Sequence, residues 1–104
     1  MQPASLECKK SPTRQRVGEA IAYSVRVPSS LGTPSSPLVK VWNETTGTDV
    51  TAVVMPVNSP SVSGQRITTS KLQSLTAGHV YRIDVQFDAG GNTFIPYIRV
   101  FADG

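Results

Sequence analysis

Between Tyr81 and Phe87 the chain alternates without a break: Tyr81, Ile83, Val85 and Phe87 are apolar, and Arg82, Asp84 and Gln86 between them are polar. A period of two puts the first set on one face of an extended strand and the second on the other; on a helix the same residues would scatter around the axis. Such a strand needs an apolar layer on one side and water on the other, which points to antiparallel sheets packed face to face. The period recurs at Ile21, Tyr23, Val25 and Val27, where Pro28 stops it, and at Leu38 to Asn43, where Val39 and Val41 alternate with Lys40 and Trp42. No ten-residue stretch places apolar residues at helical spacing.

Four further segments read as extended. Ala4 to Cys8 is a weak first strand, Asp49 to Met55 a third extended run ended by Pro56, and Gln65 to Thr69 a strand anchored by Ile67. Thr93 to Phe101 pairs back on the Tyr81 strand through the hairpin loop Asp88-Ala89-Gly90-Gly91-Asn92. Pro96 has no N–H to give to a ladder, so that last strand is expected to be an edge or to bulge there. Ser29 to Pro37 is a Ser/Pro/Gly loop without an aromatic residue. About seven short strands with turn signals every eight to twelve residues or so predict an all-β fold, an Ig-like antiparallel β-sandwich.

At 104 residues the chain is one domain with one core, and only 16% of it is charged. Small hydroxyl residues supply the polar surface, as on sheets and turns, in place of the Glu/Lys faces of helices. The net charge of +3 is unevenly spread. Lys9, Lys10, Arg14 and Arg16 against Glu7 carry the entire excess, and residues 18–104 balance. The sequence therefore divides into a basic N-terminal arm or first strand, 1–17, and a sandwich domain, 18–104. Such an arm suits an acidic partner. Nucleic acid is not expected, because no aromatic residue is interleaved with these charges to stack on bases. Neither a membrane span nor a signal peptide is read in the sequence, so synthesis in the cytoplasm is expected.

Catalysis lacks parts. His79 is the only histidine and reads as a solvated loop residue; Cys8, flanked by two lysines, reads as partly buried in the first strand. The carboxylates are scattered, Asp84 and Asp88 standing too far apart along one strand for a paired-acid site. Asn43-Glu44-Thr45 matches a glycosylation sequon by chance. No enzyme activity, metal or cofactor is expected.

The segment Leu75-Thr76-Ala77-Gly78-His79-Val80-Tyr81 resembles the corner of fibronectin type III and related bacterial Ig-like domains. The resemblance makes Tyr81 a tyrosine-corner residue whose hydroxyl reaches an upstream main-chain group, with Leu75 and Gly78 shaping the turn. It leaves Trp42 either as the core tryptophan of such a sandwich or, one place out of phase with Val39 and Val41, on the outer face. Residues 17–101 look like a small family of phage-encoded Ig-like proteins. The pattern is Gly18-Glu19-Ala20-Ile21-Ala22-Tyr23, Asp49-Val50-Thr51, Ser61-Val62-Ser63-Gly64, Leu75 to Tyr81, and Ala89-Gly90-Gly91-Asn92. That resemblance implies a virion structural or accessory role without saying which part of the particle. The expectation placed first is a head decoration protein, present in many copies, that binds the major capsid protein or other virion proteins. Lys9, Lys10, Arg14 and Arg16 would meet an acidic shell, and Trp42, Phe94 and Tyr97 would anchor the contact. The alternative is a tail-associated or host-surface module that binds carbohydrate or protein.

Overall fold

The computed structural model describes the backbone of Ser5–Glu7 and all of residues 13–104. Nine strands form two sheets: β1 (Ser5–Glu7), β2 (Thr13–Arg16), β3 (Ile21–Arg26), β4 (Ser35–Asn43), β5 (Thr48–Asp49), β6 (Ser61–Ser63), β7 (Arg66–Leu72), β8 (Val80–Ala89) and β9 (Asn92–Asp103). The larger sheet runs β1-β9-β8-β4-β5, with β2 also on β9; the smaller runs β3-β7-β6. This is the all-β sandwich expected from the alternation. The strand count exceeds seven because Thr13–Arg16 and Ser61–Ser63 are too short or too polar to leave a period.

The inward residues of both sheets form one core, including Val25, Val27, Val39, Val41, Ile67, Leu72, Tyr81, Ile83, Val85, Ile98 and Val100. They are the apolar members of the alternating runs, removed from water by a partner sheet. The corner also forms as expected. Tyr81 is buried, and its hydroxyl accepts a 2.8 Å hydrogen bond from the Thr76 N–H. Gly78 takes φ +82°, which favours glycine, and its N–H donates to the Ala102 carbonyl at 2.9 Å. Leu75 is buried beneath the turn.

Three expectations are corrected. The sandwich is not antiparallel throughout: β1 and β2 run parallel to β9, against Ile95–Tyr97 and Val100–Asp103. Pro96 is therefore in a strand flanked on both sides and not at an edge. Nor does β9 bulge there, since its pairing with β8 lapses between Asp84↔Tyr97 and Phe87↔Phe94 and resumes in the same register. Asp49 to Met55 is extended only at its start. A short helix, α1 (Thr51–Val54), follows β5, because Asp49 Oδ1 accepts from both the N–H and the hydroxyl of Thr51 and turns the chain.

Candidate protein-interaction face

β4, β8 and β9 turn their inward residues into the core and leave the alternate set on the outer face of the larger sheet. The register aligns that set in rows: Trp42, Arg82 and Arg99 lie opposite one another across three strands, and Lys40, Asp84 and Tyr97 form the next row. Trp42 is thus on the outer face, half-buried, and is not a core tryptophan.

Arg82 opposite Arg99 places like charges together, which destabilises a sheet unless acids intervene. Here they do. Arg99 forks onto Glu44 at 2.8 and 3.3 Å, and Arg82 stands 3.7 Å from the same carboxylate. Arg82 Nε, shielded from solvent, meets Asp84 Oδ1 at 2.9 Å as an ion pair and not as an aligned hydrogen bond. Both guanidiniums also lie over the Tyr97 ring, 5.9 and 5.4 Å from its centre. At the far side Arg14 pairs with Asp103 at 3.1 Å and covers Phe101 at 5.8 Å. Exposed Leu38 (61%) and Ile95 (37%) extend the face. The result is a surface of aromatic and arginine side chains, with Arg14, Arg82 and Arg99 each held by an acid. Such composition marks the centres of protein interfaces.

The structure brings Trp42, Tyr97 and Arg14 to this face, and Arg16 stands exposed on β2 beside it, Cα-paired with Asp103. Phe94 is not among them: it points inward and stacks on Phe87, ring centres 5.5 Å apart. Lys9, Lys10 and Cys8 lie outside the described residues. Sequence reading missed Arg82, Arg99 and Glu44; alternation along the last strand puts Arg99 on the same face as Tyr97, whereas Arg82 and Glu44 join them only through the pairing of the strands.

His79 is corrected from a solvated loop residue to a half-buried one whose Nδ1 accepts from Asn43 Nδ2 at 2.9 Å. Asn43 is itself buried, its Oδ1 accepting from the N–H groups of Thr45 and Thr46. The sequon asparagine is thus buried and built into a turn. Among the described residues, no group of three or more His, Cys, Asp and Glu side chains gathers as a metal site would require, and no helix is long and apolar enough to cross a membrane. A depression of about 370 Å³ lies apart from the face, lined by Pro56, Val57, Ser70, Lys71 and Gln73. No protein-family model matches the chain, and no curated protein is significantly similar to it.

Proposed function

We propose that this protein is a non-enzymatic structural component of a phage virion, a head decoration protein that binds the major capsid protein through the outer face of its larger sheet. The observation that carries the reading is the Trp42–Tyr97 face. Its aromatic anchors are flanked by Arg82 and Arg99, and these are already neutralised by Glu44 and Asp84, so docking need not desolvate a lone charge. The resemblance to phage-encoded Ig-like proteins supplies the setting. In a coat, many copies each making modest contacts suffice, since bridging neighbouring subunits multiplies weak affinities.

The test is to count copies in purified particles of the phage that encodes the chain, then bind the protein to heads lacking it. The reading expects hundreds of copies, and a Trp42→Ala/Tyr97→Ala variant with unchanged folding that binds heads at least tenfold more weakly, as loss of interface anchors should produce. A handful of copies would place the protein on the tail or in host recognition. Full binding by the double variant would remove the face from the contact.

A further inference from the structure

The outer face of the smaller sheet is chemically unlike that of the larger. Arg26 of β3 and Arg66 of β7 are directly opposed, and both are exposed. Lys71, also exposed, lies opposite Ala22 in the same pair of strands. A row of hydroxyls, Ser24, Thr68 and Ser61, crosses all three strands beside the arginine pair, and Ser63 stands opposite Arg66. Arg66 Nη1 donates to Ser24 Oγ at 3.2 Å, which lays its guanidinium along the face.

Directly opposed cations repel. On the larger sheet Arg82 and Arg99 are relieved by Glu44 and Asp84; no carboxylate of the described residues relieves Arg26, Arg66 or Lys71. Each acid in residues 13–104 is engaged elsewhere. Glu44, Asp84 and Asp103 are in ion pairs, Asp49 accepts from Thr51, Asp88 from Thr93, and Glu19 from the Arg16 N–H. The balance of charge over residues 18–104 therefore conceals a segregation: acids gather on the larger sheet and at turns, and the smaller sheet presents cations alone.

We propose that this face binds a carboxylate-rich surface of another protein. Charge complementarity requires an anionic partner, and the acids of a second copy that stand outside ion pairs, Glu19, Asp49 and Asp88, are scattered singly and form no cluster of three or more among the described residues. The guanidinium pair matches carboxylates in geometry as well as charge. The face carries no aromatic residue to stack on bases, and three cations would neutralise few phosphates, so a protein fits better than nucleic acid. The proposal does not rest on the capsid reading, which concerns the opposite sheet.

The experiment uses the full chain with a labelled oligoglutamate peptide as probe and a duplex DNA of matched charge as contrast. Peptide binding is expected to weaken with salt, to shift the amides of Arg26, Arg66 and Thr68, and to fall roughly tenfold in Arg26→Thr/Arg66→Thr, as loss of two charge-assisted contacts should produce. Trp42→Ala should leave it unchanged. Arg26→Thr should also melt no lower than the parent, because the substitution relieves repulsion at a position where threonine suits a strand. Undiminished binding by the double variant overturns the proposal, as does a lower melting point for Arg26→Thr. Tighter binding of the duplex than of the peptide overturns the choice of a protein partner.

Discussion

Gln15 stands between two exposed arginines on β2 and is itself 1% exposed. Its amide bridges the two sheets: Nε2 donates to the Leu72 carbonyl at 2.7 Å and to the Glu19 carbonyl at 3.0 Å, and Oε1 accepts from the Tyr23 hydroxyl at 2.7 Å. A buried amide is tolerated only when its donors and acceptor are used, and here all are engaged. Burial first, and the nearby Glu19 carboxylate second, push the ionisation of Tyr23 from 10.0 up to about 12. Neutral Tyr23 therefore stabilises the fold fully below pH 10, and that contribution is lost as pH rises towards 12. Tyr23→Phe should cost about 1 kcal/mol at neutral pH, leaving Gln15 Oε1 without its donor. Urea denaturation of parent and variant should show this gap narrowing as pH rises above 10. A gap that stays constant would mean that the hydroxyl does not titrate out of the core.

At the scale of elements, the free edge of β4 is closed by single contacts, two of them from side chains, instead of a strand. β5 reaches only Trp42 and Asn43. Beyond it, the Thr51 hydroxyl accepts from the Val41 N–H at 2.9 Å, the Val50 N–H donates to the Val41 carbonyl at 3.0 Å, and Asn58 Nδ2 donates to the Val39 carbonyl at 2.8 Å. These contacts also end β5 and start α1. The β-branched run Val50-Thr51-Ala52-Val53-Val54 favours a strand by propensity, and its local sequence does not reveal that Asp49 and Thr51 will bond each other and the neighbouring main chain. The Tyr81 corner was legible for the opposite reason: its turn, tyrosine and partner N–H lie within a few residues of one another. Thr51→Val keeps the shape and removes the acceptor, leaving the buried Val41 N–H unpaired. The expected loss is about 1–3 kcal/mol, with amide exchange at Val41 accelerated. Unchanged exchange at Val41 would show that the hydroxyl does not guard the edge.

For the whole molecule, alternation in β3, β4, β8 and β9 was enough to give two sheets and one core, because period two decides which residues face inward without knowing which strands pair. It could not assign β1 and β2 to β9, since strands of three and four residues carry almost no period, nor separate the charges of the two faces, since a sum over residues 18–104 ignores which acids meet which bases. The basic segment 1–17 shows what this changes. Read as an arm, it could be cut away to leave a folded domain. In the structure its last part is β2, paired with β9 from Thr13↔Val100 to Arg16↔Asp103, and Gln15 reaches from it into the core. Removing residues 1–17 deletes that strand and takes the Gln15 amide away from the Leu72 and Glu19 carbonyls and the Tyr23 hydroxyl. The expected cost is at least about 3 kcal/mol, from three lost hydrogen bonds and the groups left buried. A truncation that stops before Thr13 keeps β2 and should cost clearly less. Urea denaturation of both truncations decides the matter: equal stability would show that β2 is an appendage. The larger loss for the longer truncation would show that the charges of the arm must be tested by substitution at Lys9, Lys10, Arg14 and Arg16, because deletion would remove part of the core with them.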